Sequence, residues 1–433
     1  MKIPNLRRIF QRLSRLVWEY EKVLLALLSI VIVISGTFWY RQFASTRSDA
    51  PSVGGTVIVG VIGGQEELRL IATRLTKAGL FSIDRDGKLQ NLLVSSWSVN
   101  RAQTEFNFKL RPSVNLDEIS SALQSQTGVL GQAIVSTRKG RLVIKVSESN
   151  PSLPLLLARP FFDYGSYKVS NSSNTTAVFV RNTREDALPA FINKVVVHAY
   201  EQTEDLNNAL KRRRLDIATS SEGIEQPSGY TTYNANLSRY YALLFNTNRF
   251  SLRDSALRQR LIQKKKPLNT AIFSLISPDQ QPQRTLAEAL VSRWKLLGAK
   301  VNLSLKPQDE IATGIAPARN FDAMVIGLDY GFELDPYYFW HSSQLRIMGN
   351  NFSGLNSPQI DKTLAKIRQS LNASTRRNLL IQLHSEIRRQ AAGRILQQES
   401  VKFVVSSGVR FVPPFLASTT ADIFQALPLW SVK

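Results

Sequence analysis

Phe321 to Trp340 reads FDAMVIGLDYGFELDPYYFW. It opens on a short apolar run, Ala323 to Ile326, which predicts a buried strand. Gly327 is expected to end that strand. The loop beyond it carries three acids, Asp329, Glu333 and Asp335, among the aromatics Tyr330, Phe332, Tyr337, Tyr338 and Phe339, and Trp340 closes it. An α/β fold presents ligands outside the carboxyl ends of its strands. A carboxylate flanked by aromatic faces suits a cationic amine, through a charge-assisted hydrogen bond and the ring quadrupoles. The alternative is an ordinary turn whose aromatics pack into the core.

Upstream of this stretch, strands and helices alternate. TVIVGVI (Thr56–Ile62) is a β-branched run and the first expected strand. Leu68 to Leu80 should be helical, stopped at Gly79. Asp86-Gly87 between short apolar runs predicts a hairpin. EFNFKL (Glu105–Leu110) alternates as a half-buried strand should, Leu116 to Leu123 reads as a helix, and RLVIKV (Arg141–Val146) as another strand. KVVVHA (Lys194–Ala199), YYALLF (Tyr240–Phe245) and Lys300 to Leu305 add strands, with helices around Glu204–Arg214, Leu257–Leu261 and Leu286–Leu297. After the loop, Asn356-Ser357-Pro358 predicts a helix start, and Ser374 a second one. Val401 to Val405 is a late strand, and Pro413-Pro414 begins a tail expected to run back across the fold. This β–α–β order predicts an α/β protein with mixed sheets.

The first 55 residues are of a different kind. Val23 to Tyr40 is an uncharged, mostly apolar run of 18 residues, about 27 Å as a helix and just sufficient to cross a bilayer core. Six basic residues from Lys2 to Lys22 precede it, which places residues 1–22 in the cytoplasm. Residues 23–40 are expected to form an uncleaved transmembrane helix and 41–55 a linker.

The chain has 55 Lys and Arg against 33 Asp and Glu, a net charge of +22. Residues 1–47 supply +6 of this, so the exported body keeps about +16. If this body faces outward, such an excess points to an anionic envelope as partner rather than nucleic acid. There is no cysteine, which excludes disulfides, thiolate metal sites and thioether-linked lipid. Three scattered histidines, His198, His341 and His384, show no metal-ligand spacing. No nucleophile elbow is present, and the three loop acids are poorly placed to oppose one another across a glycosidic bond.

Three islands of sequence carry a resemblance. GLFSIDRDGKLQNLLVSSWSVNRAQTEFNFKLRPSV (Gly79–Val114) includes Ser96-Trp97. YYALLFNTNRFSLRDSALRQRL (Tyr240–Leu261) includes Asn246, Asp254 and Arg258. LDYGFELDP (Leu328–Pro336) is followed by NNFSGLNSPQIDKTL (Asn350–Leu364). In order and spacing these islands resemble the family 5 extracellular solute-binding proteins, the dipeptide- and oligopeptide-binding group that serves ATP-driven importers. The resemblance implies a two-lobed fold like that of type II periplasmic binding proteins, with lobe I at 56–238, lobe II at 239–410 (ligand loop 327–340) and a return segment at 411–433. It also implies a peptide ligand, ABC permease subunits as partners, a monomer without cofactor, metal or catalytic residues, and an aspartate that pairs with the ligand's α-amino group. Asp329, followed by Tyr330, takes that position. The expected ligand-contacting set is Asp329, Tyr330, Asp335, Tyr337 and Trp340 from the loop, with Asn246 and Trp97 from the other islands. Departures exist: no glycine precedes Asp216-Ile217, and two extra residues separate Tyr330 from Asp335. These bear on ligand class more than on fold. The alternatives in other classes are an envelope scaffold that kept the fold without the ligand, and a cell-wall glycan hydrolase.

Overall fold

In the computed structural model, β-branched runs become strands wherever both faces can be covered. The structure describes residue 35 and residues 53–433 apart from 85, 127–129, 131–132, 185–186, 222, 266–270, 348 and 414–416. The expected cytoplasmic tail, the Val23–Tyr40 span and most of the linker lie outside the described residues. Among the described residues no helix is long and apolar enough to cross a membrane.

Strand β1 (Thr56–Ile62) buries Val57, Val59 and Val61 completely, with the period of two that a strand imposes. Helix α1 (Gln65–Thr76) follows and buries Leu68, Ile71 and Leu75 on one stripe. It ends short of the expected Gly79 for a tertiary reason. A Cβ on Gly79 would lie 2.6 Å from the Ala158 carbonyl, so that glycine lets Ala78 bridge to Phe162 and is not a helix stop.

The Asp86-Gly87 hairpin forms between β2 (Phe81–Ile83) and β3 (Leu89–Asn91). Strands β4 (Val94–Val99), β5 (Glu105–Leu110), β6 (Ile134–Arg138) and β7 (Arg141–Lys145) make a small antiparallel sheet in the order β4-β5-β7-β6. Helix α2 (Leu116–Gln124), capped by the Asn115 side chain, contacts this sheet at β6 and β7.

The main sheet adds β8 (Tyr167–Ser172), β9 (Thr176–Arg181), β10 (Lys194–Tyr200) and β11 (Ile217–Ser220), with helix α3 (Thr203–Lys211) between the last two. Next come β12 (Tyr230–Phe245), helix α4 (Ser255–Gln263), β13 (Ile272–Pro278), helix α5 (Gln283–Leu296), β14 (Lys300–Lys306) and β15 (Ala323–Asp329). After the loop, a single helical turn α6 (Tyr337–Trp340) leads to α7 (Pro358–Gln369), α8 (Ala373–Arg389) and β16 (Gly393–Ser406). The ten main strands run β14-β13-β15-β12-β16-β11-β1-β10-β9-β8, a mixed sheet.

Two expectations fail locally. Strand β15 does not stop at Gly327, because the ladder with β12 continues through Tyr241↔Gly327 to Arg239↔Asp329. Helix α8 is capped by Asn372 rather than Ser374, since its Oδ1 accepts the Thr375 N–H at 2.9 Å.

Strands β12 and β16 are the long ones, with 16 and 14 residues. Tyr230–Asn236 pairs with Ser406–Ser400, and Tyr240–Leu244 with Gln398–Gly393; the register shifts between Asn236 and Tyr240. The first stretch lies on the β11 side of the sheet and the second beside β15. After β16 a 3-10 helix, Ala421–Leu429, buries Ile423, Phe424 and Leu427 on the α1 side, and Trp430 is fully buried.

Candidate functional site

The loop after β15 folds inward on its aromatics. Tyr330 and Trp340 are each 1% exposed. The Trp340 Nε1–H donates to the Tyr330 hydroxyl at 3.1 Å, and that hydroxyl lies 3.2 Å from His384 Nε2 on α8. The tyrosine oxygen accepts from the indole, and its own proton can go to His384 Nε2 in the neutral imidazole tautomer that carries hydrogen on Nδ1. Burial pushes the Tyr330 pKa upward and lowers that of His384 to about 4.

A stability profile follows. The unfolded chain takes up the His384 proton near pH 6.5, whereas the folded chain resists it until about 4. Folding stability is therefore complete above pH 6.5 and falls through that window, by roughly 2–3 kcal/mol from this residue. Urea midpoints at pH 7 and pH 4.5 should show the loss, and His384→Gln should reduce it; an unchanged pH dependence in the variant would rule this out.

Acids of the loop are engaged as well. Asp335, 8% exposed, pairs with Arg368 of α7 at 2.8 Å and caps the Tyr337 N–H. The Arg368 guanidinium lies 3.6 Å above the Tyr337 ring, against which the His341 ring also stacks. Glu333 pairs with Arg159 at 3.0 Å; burial raises its pKa in spite of that arginine. Fully buried Arg376 donates to the carbonyls of Glu333, Arg368 and Ser370 and to the Ser152 hydroxyl. The loop is thus sewn to residues 152–159, and one apolar cluster runs across from Leu80, Phe108 and Phe162 to Trp340, Ile367 and Leu383.

Asp329 stands apart. Its side chain is 45% exposed, opposite Arg239 on β12, with a long ion pair of 3.8 Å. One carboxylate oxygen accepts from the Gly331 N–H at 2.9 Å, and Arg239 also reaches Glu399 at 3.5 Å. These groups meet where β12 and β16 shift register. Asn246 lies past the other end of β12, buried, holding the Arg319 carbonyl, and seven residue steps along the strand put it about 23 Å from Arg239, the partner of Asp329. Trp97 belongs to the small sheet, packed against Phe81 and Phe108. The structure therefore joins Tyr330 to Trp340 and Asp335 to Tyr337, and leaves Asp329, Asn246 and Trp97 in separate places.

Beside the loop lies a partly open cavity of about 500 Å³. Its walls are the last turn of α1 and the chain after it (Arg74, Lys77, Ser82), the 158–188 region (Pro160, Ser166), and the return segment from Val412 to Leu429. Phe332 of the loop and Arg377 of α8 complete it. A smaller space of about 290 Å³ shares Arg74, Lys77 and Phe332 and reaches Arg159 and Asp422. Arg74 and Asp422 pair at 2.6 Å; burial tends to raise the Asp422 pKa, but Arg74, Ser418 and Thr419 together hold it below the usual carboxylate value. Ser166, 1% exposed, has no hydrogen-bond partner for its hydroxyl among the described residues. A lone hydroxyl in a cavity wall is costly unless a ligand or water meets it. This wall was not legible as a site because it converges from five distant segments; Phe332 comes from the acidic loop and Ser82 from the Gly79–Val114 island, but nothing local in either marks them as neighbours.

No protein-family model matches the chain, and no curated protein does. Solved structures do match. HbpA2 from Haemophilus parasuis superposes with a TM-score of 0.70 at 13% identity, over 88% of this chain and 100% of that one. A nickel ABC transporter structure from Bacillus halodurans gives 0.66 at 14%, over 87% and 100%. The oligopeptide-binding protein AppA from Bacillus subtilis, solved with a nonapeptide, gives 0.58 at 13%, over 89% and 100%. At such identities the likeness is one of fold. The mixed α/β architecture expected from the sequence islands is the one observed, and its structural neighbours are family 5 solute-binding proteins.

Proposed function

We propose that this chain is an outward-facing binding protein that captures a peptide between two lobes, 56–238 and 239–410, and delivers it to an ABC-type importer without chemical turnover. The observation that carries this reading is the cavity of about 500 Å³, a volume typical of ligand sites. Most of its wall belongs to the first half and the return segment, while Phe332 and Arg377 come from the second half. Closure and opening would turn on β12 and β16 where their pairing is interrupted between Asn236 and Tyr240. Residues 1–22 would lie in the cytoplasm, 23–40 cross the membrane and 41–55 tether a monomeric body on the outer side, where its basic surface meets anionic envelope polymers.

Asp329 keeps its proposed role as partner of the ligand's amino group. One oxygen of its half-exposed carboxylate accepts from the Gly331 N–H and the Ser238 hydroxyl, while the other faces Arg239 at 3.8 Å, the contact that an incoming ammonium can replace in an opened protein. Asp329→Ala is then expected to weaken peptide binding by about 10–100-fold in calorimetric titration. Unchanged affinity would remove Asp329 from the site.

One observation favours a second reading. The loop is sewn to residues 152–159 by the protein's own Arg376, Glu333 and Arg159, as an envelope scaffold without a ligand would allow. Titration with a mixed peptide library separates the two: heat of binding supports the transporter component, and a flat titration supports the scaffold.

A further inference from the structure

Asp329 is met differently from the other two acids of its loop. Asp335 has Arg368 at 2.8 Å and Glu333 has Arg159 at 3.0 Å, the spacing of close charge-assisted pairs. In Asp329 only Oδ1 is pinned, by the Gly331 N–H at 2.9 Å and the Ser238 hydroxyl at 3.4 Å. Oδ2 faces Arg239 at 3.8 Å, outside hydrogen-bond reach.

The Arg239 guanidinium is drawn two ways. Strand β12, which carries it, lies between β15 with Asp329 and β16 with Glu399. Its Nη1–H donates to Glu399 Oε2 at a long 3.5 Å, and the same oxygen accepts from the Tyr241 hydroxyl at 3.1 Å. Burial first, and then the Glu399 charge, push the Tyr241 pKa up to about 12, so the phenol keeps its proton and fixes this carboxylate. Among the described residues, Arg239 is the one cation paired with either acid. Two carboxylates therefore share one guanidinium, and a further cation would balance the group. Arg239 also stands in the interrupted pairing of β12 with β16, between Asn236 and Tyr240. Exposed ion pairs of such length are weak, so these contacts exchange easily.

We propose that Arg239 is a displaceable placeholder: it covers the Asp329 Oδ2 position that a peptide's terminal ammonium would take, and yields it by closing onto Glu399. Arg239 thereby opposes amine binding and Glu399 favours it. The inference rests on the role of Asp329 as the amine's partner and adds the two residues that set the strength of that contact. Calorimetric titration of the full-length chain compares a mixed library of short unblocked peptides with the same library N-acetylated. For the unblocked library, Arg239→Gln is expected to tighten binding by about 2–5-fold, and Glu399→Gln to weaken it by a similar factor. Arg239→Lys, which keeps the charge, should stay near the parent. The acetylated library should shift in none of them. The double change, Arg239→Gln with Glu399→Gln, keeps the parent's net charge. It should still hold the unblocked library roughly twofold tighter than the parent, because no placeholder has to move. The side chains are 42% and 24% exposed, and unfolding midpoints close to the parent's check that each variant is folded. If the parent binds both libraries alike, or neither, the Asp329 role falls and this proposal with it. If the parent prefers the unblocked library but Arg239→Gln fails to tighten it, or the double variant only matches the parent, the placeholder alone is overturned and the Asp329 role stands.

Discussion

Arg376→Leu is expected to lower the free energy of unfolding by about 3–5 kcal/mol. The guanidinium is 0% exposed and serves the carbonyls of Glu333, Arg368 and Ser370 together with the Ser152 hydroxyl. Burial lowers its pKa to about 10, still high enough to stay charged at neutral pH beside Asp335 and Glu333. Leucine would leave those acceptors without a donor and the neighbouring carboxylates with less compensation. Arg376→Lys should recover part of the loss by keeping the charge without the planar fork. Urea unfolding checks both variants; an Arg376→Leu protein within about 1 kcal/mol of the parent would mean that the loop is held to residues 152–159 by its apolar contacts alone.

The second large effect concerns binding. Leu429→Trp should abolish peptide binding while leaving the protein folded, reducing affinity by 100-fold or about 3 kcal/mol at the least. Leu429 borders the cavity and is 37% exposed, so an indole there can turn into the empty space without displacing buried backbone. Ser82→Trp enters the same cavity from the hairpin side and should act alike. The unfolding midpoint of each variant, expected close to that of the parent, guards against simple misfolding. Binding that survives both substitutions would place the ligand elsewhere.

Local pattern explains why some features were legible in the sequence and others were not. EFNFKL forms β5 over the residues its alternation marks, and Ser357-Pro358 starts α7 as capping chemistry requires. These are decided within a few residues. Gly79 misled because its role is a close approach to Ala158, 79 positions away, and no local signal distinguishes that from a helix stop. Gly327 misled for a related reason: β12 runs long enough to keep pairing past it. The loop's richness in acids and aromatics was plain, yet Arg368, Arg159 and His384 come from distant segments and take up Asp335, Glu333 and Tyr330. Composition cannot tell a carboxylate waiting for a ligand from one already paired.

The most direct measurement is native mass spectrometry of the gently purified full-length chain, alone and after incubation with a mixed peptide library. A surplus mass of one peptide per chain is expected, lost on denaturation and missing in Leu429→Trp. A bare-chain mass in every sample, with no peptide retained at saturating concentration, would contradict it.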